Sequence, residues 1–456
     1  MCYFNHRIFI LHVPLLKIKH YTTQTIFFLT CLTQSLLVPL VSYYNHHIYR
    51  THIDPIIIGI LGREIVFELG KDTKTWPTVY ALSRSKKEDY PSNVKHTHID
   101  LQGNPEDMAK ELGHIDAEYV FFTAYLAQDD EDDATKVNGD MLQNFISALK
   151  LTGAAKKIKR FILTTGCKQY GVHFGAPKNP MQESDHWLKN PSYPSNFYYR
   201  QQEILKKEAE ENNWEWTVTY PNDVVGVAKG NFMNLVSAIG IYASICKELN
   251  QPLIWPGSPH FYTMFDSLTC STLHAQFNTW AAFAPGAANQ AFNVVNGDVE
   301  SWQNLWPKVA AKFDLKIPEK MFEDKDFKND FGDQGLVMPL KETPPISEFA
   351  ADSGLLDTPA LQQSLVEAKI DLSKWAQRAE VKAAWKKLSE REGLDATAFD
   401  NATWMFLNFV LGRNFDLVIS MSKARKAGWT GYQDTWESIE GALERLVGEK
   451  VVPAFK

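Results

Sequence analysis

From Gly59 onward, short apolar segments alternate with longer segments in which apolar residues recur at helical spacing. The short segments are bounded by turn residues and predict buried strands, whereas the longer ones predict amphipathic helices. The predicted strands are 78–84, 118–125, 160–165 and 216–220, and the predicted helices are 134–151 and one that starts at Phe197. This βαβ rhythm predicts an α/β fold with a doubly wound parallel sheet, covered on both faces. A ligand site is then expected at the carboxyl ends of the strands.

The tryptophan-rich C-terminal third is mainly helical in its pattern. It predicts a smaller helical substrate domain, with most of its tryptophan rings in the core. The predicted organisation is an atypical N-terminal segment over 1–58, a sheet-forming core over 59–225 and a cap region over 226–456. A later strand near 290–296 is expected to rejoin the core sheet.

The first 58 residues differ in composition from the rest of the chain. They contain one of the 54 acidic residues, Asp54, and six of the 13 histidines. The uncharged run over 21–44 is long enough to span a membrane, but Pro39 and many hydroxyl groups argue against a spanning helix. A signal peptide is disfavoured because no small-residue cleavage site follows a compact apolar core. We interpret residues 1–58 as foreign to the domain, such as translated non-coding sequence.

A partial glycine motif opens the first predicted helix. Gly59 and Gly62 have the spacing of the second and third glycines of Gly-x-x-Gly-x-x-Gly, which bring a dinucleotide pyrophosphate and a helix close to the backbone. Ile56 stands in place of the first glycine, and Pro55 cannot donate a hydrogen bond in a central strand. On these residues alone, a plain turn before a helix is the alternative. With the βαβ rhythm, the motif indicates a Rossmann-type dinucleotide site.

The end of the next predicted strand bears on the choice of cofactor. Arg84, Ser85 and Lys86 follow Gly62 at the distance where a carboxylate would bind the ribose of NAD. Cations at this place suit the 2′-phosphate of NADPH instead. The alternative is a solvated basic strand end. The sequence therefore favours NADPH over NADH.

Charge and cysteine usage exclude several classes of protein. The net charge of −7 argues against a nucleic-acid partner. The five cysteines include no Cys-x-x-Cys pair, which disfavours a disulfide framework and a thiolate zinc site. His96 and His98 alternate along a predicted strand, but no third ligand follows at metal spacing, so no metal is expected. We expect a reducing, cytoplasmic location without membrane association.

The residues that could carry chemistry lie in two stretches. Short-chain reductases usually have Tyr-x-x-x-Lys on one helix, but here Gln202 follows Tyr198 at that spacing. A candidate amine, Lys168, lies instead at the end of the neighbouring strand. Taken alone, Tyr198 or its neighbour Tyr199 would be a half-buried aromatic side chain, and Lys168 a surface lysine. A Rossmann sheet places a strand end beside a helix start, so Lys168 and Tyr198 can meet.

The chain closely resembles the progesterone 5β-reductase/iridoid synthase-like (PRISE) family, an extended branch of the short-chain dehydrogenases/reductases related to NAD-dependent epimerases/dehydratases. The resemblance runs from about Gly59 to the C-terminus, and its most specific element is the Thr-Gly-x-Lys-x-Tyr loop followed by Asn-Phe-Tyr-Tyr. The stretches that carry it are 164–171 (TTGCKQYG), 196–203 (NFYYRQQE), 221–226 (PNDVVG), 232–235 (FMNL), 291–298 (AFNVVNGD) and 404–406 (WMF).

The resemblance implies specific roles. It makes Lys168 and Tyr198 the catalytic pair. The glycine turn and the resemblance together give the expected cofactor contacts, which are Gly59, Gly62, Arg84, Ser85, Asp100, Leu101, Thr165 and Val224. The expected substrate contacts are Tyr125, Asn234 and Phe406. Two departures stand out: the first glycine is missing, which bears on cofactor affinity, and Ala124-Tyr125 replaces the plant Thr-Trp, which bears on substrate identity.

The resemblance implies an NADPH-dependent reductase of the activated C=C bond of small apolar enones or enals. Hydride addition to the β-carbon moves charge onto the carbonyl oxygen, and a phenol with a nearby ammonium can stabilise the resulting enolate. Two alternatives stay open. One is a non-catalytic or cofactor-impaired NADP-binding relative, and the other is a carbonyl reductase or epimerase-type enzyme. A homodimer is compatible with the reductase and with both alternatives.

Overall fold

The computed structural model of the protein describes residues 24–28, 59–84, 89–228 and 233–455. The strands are β1 (Gln24–Phe28), β2 (Thr78–Ser83), β3 (Val94–His98), β4 (Tyr119–Phe122), β5 (Arg160–Thr164), β6 (Glu215–Tyr220), β7 (Val224–Val225), β8 (Phe265–Asp266), β9 (Thr269–Cys270), β10 (Gln290–Asn293), β11 (Glu300–Ser301), β12 (Leu336–Pro339) and β13 (Leu365–Ala368). The helices are α1 (Ile60–Lys71), α2 (Pro105–Leu112), α3 (Glu131–Thr152), α4 (Phe197–Asn212), α5 (Leu235–Glu248), α6 (Ser271–Phe283), α7 (Trp302–Lys312), α8 (Leu372–Trp375), α9 (Ala379–Glu392), α10 (Trp404–Leu411), α11 (Ser422–Lys426) and α12 (Thr435–Gly448).

A seven-stranded sheet forms the centre of the molecule. Its strand order is β10-β6-β5-β4-β1-β2-β3, and every pairing in it is parallel. The late strand expected near 290–296 is β10, which pairs with β6 at the edge of the sheet. The order reverses direction at β1, and such a switch point is where Rossmann folds bind dinucleotides. The predicted doubly wound α/β fold is therefore confirmed.

The N-terminal segment requires a correction. Gln24–Phe28 forms β1, which pairs with β2 on one side and with β4 on the other. A segment expected to be foreign to the domain thus supplies an interior strand of the sheet, so the sheet-forming core does not begin at Gly59. The same five residues lie in the uncharged run that was weighed as a membrane span, and they are extended rather than helical. Pro55 and Ile56, which precede the partial glycine motif, lie outside the described residues.

Helices cover both faces of the sheet because alternate strand residues point to opposite sides. In β2, Val79 and Ala81 pack into a core with residues of α1 and α6. Tyr80 and Leu82 pack into the opposite core, which includes residues of α2, α3 and α4. Within the described ranges, every helix is too short or too polar to span a bilayer.

The C-terminal region builds a second core of its own around helices α5, α7 and α10. Three of its largest side chains, Trp255, Trp302 and Trp306, are almost completely buried and pack against one another. A buried ion pair joins this cap to the sheet, since Arg413, just after α10, donates to both carboxylate oxygens of Asp223, just after β6. The cap therefore closes over the carboxyl ends of the strands.

Candidate active site

Lys168 lies just beyond the end of β5. The strand runs into Gly166 in extended backbone, and a short 3₁₀ helix, Cys167–Tyr170, follows directly. The Lys168 side chain is mostly buried, with 12% of its surface exposed, and its ammonium lies 2.9 Å from Oε1 of Glu131. It also lies 5.8 Å from the centre of the Phe197 ring. The loop after β5 thus places a positively charged side chain in the interior of the protein.

Tyr198 lies in the first turn of α4. Asn196 caps this helix, and its side-chain oxygen accepts a hydrogen bond of 3.0 Å from the backbone N–H of Tyr198. The amide nitrogen of the same side chain donates to the backbone carbonyl of Lys168 over 2.8 Å. One capping residue therefore ties the lysine loop to the start of the tyrosine helix.

The environment of Tyr198 keeps its hydroxyl protonated. Burial raises the pKa of Tyr198 well above its ordinary value, and the nearby Cys167 and Glu131 raise it further. The hydroxyl lies close to the Gly166 backbone, because a Cβ atom placed on Gly166 would be 3.1 Å from it. The phenol can therefore act as a hydrogen-bond donor at neutral pH.

Gln202 occupies the position where a Tyr-x-x-x-Lys motif would have its lysine. It is buried, donates to Oε1 of Gln169 over 2.7 Å and accepts from the Tyr220 hydroxyl over 2.7 Å. The Tyr199 hydroxyl donates to the backbone carbonyl of Gln169 over 2.9 Å. These polar contacts hold the 3₁₀ helix next to α4, so Gln202 supports the lysine loop instead of supplying an amine.

A cavity of about 180 Å³ brings most of the predicted site residues together. Its lining includes the glycine turn at the start of α1 and residues of the cap. The predicted residues that line it are Gly59, Gly62, Tyr125, Thr165, Lys168, Tyr198, Val224 and Phe406. The proposed catalytic pair and residues expected to contact cofactor and substrate therefore share one cavity.

A small groove lies next to this cavity and holds three more predicted residues. Arg84, at the end of β2, lines it together with Asp100 and Leu101, which follow β3. Tyr125 lines both the groove and the cavity, and its ring stacks on that of Phe197 at 5.0 Å. Ser85 lies outside the described residues. The groove gathers the residues expected to bind the adenosine end of a cofactor.

Among the predicted site residues that the structure describes, Asn234 lines neither this cavity nor the groove. Its side chain caps α5 by accepting from the backbone N–H of Ser237 over 3.1 Å. It lines a different cavity, between α5 and the C-terminal segment, together with Thr403 and Glu449. Its position is explained by helix capping.

Several residues of the site escaped sequence analysis. His173, Phe409, Asp223 and Arg413 line the cavity, and Glu131 pairs with Lys168. Glu131 belongs to the acidic run 129–133 at the start of α3. Asp130 caps this helix, whereas Glu131 is buried at the first helical position. One sequence feature could have pointed to His173, which is its position five residues after Lys168 in the same loop.

The residues present fit a nicotinamide dinucleotide. The N-terminus of α1, which begins after Gly59, supplies free backbone N–H groups of the kind that bind a pyrophosphate. The groove with Arg84 and the cavity with Tyr198 share Tyr125, so a long ligand could reach both. No group of three or more His, Cys, Asp or Glu side chains within the described ranges is placed to hold a metal.

Comparison with known proteins agrees with this geometry. The model of the PRISE-like Rossmann-fold domain family matches residues 94–329. An uncharacterized protein of Schizosaccharomyces pombe is 37% identical over 402 residues, which cover 87% of this chain and 96% of that protein. The 3-oxo-Δ(4,5)-steroid 5β-reductase of Arabidopsis thaliana is 26% identical over 403 residues, which cover 87% of this chain and 92% of that protein.

A solved structure gives the same fold at low sequence identity. The terminal R domain from the myxalamid PKS-NRPS biosynthetic pathway has a TM-score of 0.53 and 13% identity, and the match covers 96% of this chain and 93% of that one. The relatives span most of the chain, and the family model spans more than half of it. The chain is therefore a member of the PRISE-like Rossmann-fold family.

Proposed function

We propose that this protein is an NADPH-dependent reductase of the activated C=C bond of small apolar enones or enals. The observation that carries the proposal is the cavity in which Lys168 and Tyr198 lie together with the glycine turn and the apolar cap residues. The Arabidopsis relative, by its name, reduces a 3-oxo steroid with a double bond at position 4,5, which is an enone.

The reaction needs stabilisation of a developing enolate. When bound, the reduced nicotinamide supplies the hydride that adds to the β-carbon. The Tyr198 hydroxyl donates a hydrogen bond to the carbonyl oxygen of the substrate as negative charge collects there. Burial raises the pKa of Tyr198, so the phenol keeps its proton and can donate it to the enolate. The Lys168 ammonium supplies positive charge in the same cavity.

The cap excludes water and selects apolar substrates. Phe406 and Phe409 from α10, together with Met233, form an apolar part of the cavity wall. Excluding water strengthens the hydrogen bond from Tyr198, because the local dielectric constant falls. An apolar wall next to one donor and one cation suits a small molecule that carries a single activated carbonyl.

NADPH is proposed over NADH because of the groove at the end of β2. Arg84 lies there beside Asp100 and Leu101, where the 2′-phosphate of the adenosine ribose is expected. A guanidinium forms strong charge-assisted hydrogen bonds with a phosphate. The same contact is absent for NADH, which has a hydroxyl at that position.

A screen of enones and enals with NADPH tests the proposal. The purified protein is mixed with NADPH and a panel of cyclic and linear α,β-unsaturated carbonyl compounds, and the products are identified by mass spectrometry and NMR. We expect saturated carbonyl products from at least part of the panel. Allylic alcohols would instead establish carbonyl reduction. NADPH binding without turnover of any compound would favour a non-catalytic relative.

A further inference from the structure

A second cavity, of about 100 Å³, lies in the cap region and takes no part in the proposed reduction. Its wall is formed by the start of α5, the end of α12 and the segment that leads into α10. Half of the described residues that line it are polar, and these are Asn234, Ser237, Asp395, Asn401, Thr403 and Glu449. A cavity with such a wall offers several hydrogen-bonding groups to a small polar molecule.

Asn234 offers an unused hydrogen-bond donor to the second cavity. Its Oδ1 accepts from the backbone N–H of Ser237 over 3.1 Å, and this bond fixes the orientation of the amide, because Nδ2 could not accept it. Nδ2 has no hydrogen-bond partner among the described residues, although only 7% of the surface of Asn234 is exposed. Nor is Nδ2 one of the polar atoms sealed from solvent, so a molecule in the cavity can reach it. A buried donor of this kind marks a place for a ligand acceptor.

The charged groups of the second cavity are acidic. Asp395 and Glu449 contribute two carboxylates, and the described part of the lining holds no Lys, Arg or His. Oδ1 of Asp395 accepts from the backbone N–H and the hydroxyl of Thr397, which leaves Oδ2 for a ligand. Glu449 lies 3.8 Å from one guanidinium nitrogen of Arg63, whose other terminal nitrogen lies 2.8 Å from Glu64. The wall therefore favours a cation over an anion.

The second cavity and the active-site cavity are built on the same three segments of the chain. Each segment has one residue in either wall, and the pairs are Val224 with Val227, Met233 with Asn234, and Phe406 with Thr403. A further link reaches the glycine turn, because Glu449 pairs with Arg63, the residue after Gly62 in α1. A molecule in the second cavity therefore contacts segments that also form the active-site wall.

We propose that the second cavity is a regulatory site for a free, small organic ammonium compound that also carries an oxygen acceptor, such as an amino alcohol. The ammonium pairs with the carboxylates of Asp395 and Glu449, and the oxygen accepts a hydrogen bond from Nδ2 of Asn234. An apolar cavity of about 150 Å³ holds benzene, so one of about 100 Å³ suits a ligand of about four heavy atoms. The bound ammonium competes with Arg63 for Glu449 and adds positive charge near the start of α1, so it should tighten the binding of NADPH. This effect rests on the proposed function, whereas the binding of the amine does not.

Direct binding to the full-length protein tests the site without turnover. Amino alcohols of about two to five carbons are titrated by saturation-transfer NMR, next to alkylamines, diols and hydroxy-acid anions of the same lengths. We expect a dissociation constant of about 1–10 mM for the best amino alcohol and about fivefold weaker binding of its alkylamine and its diol, since each loses one contact. The hydroxy acids should not bind. Equal binding of all four classes, or no binding of any amino alcohol, would overturn the inference.

Two variants remove one contact each. Asn234→Ser keeps an oxygen for the helix cap but lacks Nδ2, and Asp395→Asn keeps the oxygen that accepts from Thr397 but lacks the charge. The amino alcohol should bind about fivefold more weakly to each variant, the diol only to the first and the alkylamine only to the second. Asp352→Asn removes an exposed carboxylate outside both cavities and should bind the amino alcohol like the unaltered protein. Unchanged affinity in both cavity variants would overturn the site. If neither variant folds, the comparison of ligand classes still decides.

The effect on NADPH distinguishes regulation from binding alone. NADPH is titrated by tryptophan fluorescence with and without saturating amino alcohol. We expect its affinity to rise about fivefold with the amine bound, and the amine must gain the same factor from NADPH, because coupling between two sites is reciprocal. An amine that binds but leaves the affinity for NADPH unchanged would overturn the regulatory role and leave the proposed reductase intact. If the protein does not bind NADPH at all, the proposed function and the regulatory role both fail, while binding of the amine stands on its own.

Discussion

The ammonium of Lys168 lies 2.9 Å from Oε1 of Glu131, and both side chains are at least 88% buried. The second oxygen of Glu131 has no hydrogen-bond partner among the described residues. A cation enclosed in this way needs a counter-charge, because moving an isolated ammonium out of water is costly. Glu131, at the first position of α3, supplies it, and the N-terminus of that helix favours the carboxylate. Glu131 is therefore a positioning residue for Lys168.

Removing this counter-charge should harm both stability and turnover. Glu131→Gln leaves the Lys168 ammonium buried without a full partner, so we expect the free energy of unfolding to fall by about 3 kcal/mol. Displacement of the ammonium should lower kcat by about tenfold or more. Chemical denaturation and NADPH-dependent assays measure the two effects.

The exposed pair of Lys110 and Asp107 offers a matched control. Its side chains are 76% and 63% exposed, so Asp107→Asn should leave the free energy of unfolding almost unchanged. Glu131→Gln combined with Lys168→Met should be more stable than Glu131→Gln alone, since no unpaired charge remains buried. A double variant that is as unstable as the sum of its parts would show that Glu131 and Lys168 act independently.

Tyr198 and Tyr199 should respond differently to loss of the hydroxyl. Tyr198→Phe removes the proposed donor to the enolate, so kcat should fall by about two to three orders of magnitude with NADPH binding unchanged. The Tyr199 hydroxyl bonds to backbone groups of Gln169 and Leu188. Tyr199→Phe should therefore cost about 1 kcal/mol of stability and little turnover. A large loss of kcat in Tyr199→Phe alone would move the proposed catalytic role to the neighbouring residue.

Cofactor preference should depend on Arg84. The intact protein should bind NADPH more tightly than NADH, and Arg84→Ala should remove about 1.5–3 kcal/mol of that difference, the range for a charged hydrogen bond. Titrations of tryptophan fluorescence with both cofactors measure it. Lys95→Ala removes an exposed charge on β3, the strand paired with β2, and should leave the preference in place. Equal affinities of the intact protein for NADPH and NADH would contradict the assignment.

Alkaline pH should destabilise the fold through its buried tyrosines. Burial raises the pKa of Tyr125, Tyr170, Tyr198, Tyr220 and Tyr242, and that of Tyr199 to about 12. Their neutral forms are favoured in the folded state, so this stability is fully present below the unfolded pKa of about 10 and is lost as pH rises above it.

Tyr199 accounts for a defined part of this loss of stability at alkaline pH. For Tyr199 alone, the loss should reach about 1 kcal/mol near pH 11. Denaturant titrations between about pH 9 and pH 11, together with the ultraviolet absorbance of tyrosinate, measure this loss. Stability that stays constant or rises over this range would contradict it.

Local pattern explains why most of the core strands could be predicted. Strands β2, β5 and β6 alternate with helices and are bounded by turn residues, so their observed bounds lie within one residue of those expected. The predicted strand at 118–125 was too long, since β4 covers Tyr119–Phe122 only. Beyond Phe122 the chain leaves the sheet to line the cavity with Thr123, Ala124 and Tyr125.

Contacts between distant residues explain what sequence analysis missed. Glu131 precedes Lys168 by 37 positions, and Arg413 follows Asp223 by 190. Neither pair has a local signal, because it forms only when a helix start or the cap is packed against a strand end. Lys168 and Tyr198 could be paired in advance because the family motif records their joint occurrence.

The first strand of the sheet provides the sharpest test of the fold. Ile26 in β1 is aligned with Tyr80 of β2 and with Val120 of β4, so its backbone lies in the interior of the sheet. Ile26→Pro should lower the free energy of unfolding by about 3 kcal/mol, since proline lacks the N–H that a central strand needs and leaves a buried carbonyl without its donor.

Ile26→Val keeps a β-branched side chain and every backbone group, and it should cost no more than about 1.5 kcal/mol. Denaturant unfolding of both variants measures the difference. If residues 1–58 were foreign to the domain, as their composition suggests, Ile26→Pro would unfold at the same denaturant concentration as the unaltered chain. That result would remove β1 from the sheet and leave Gly59 as the start of the domain.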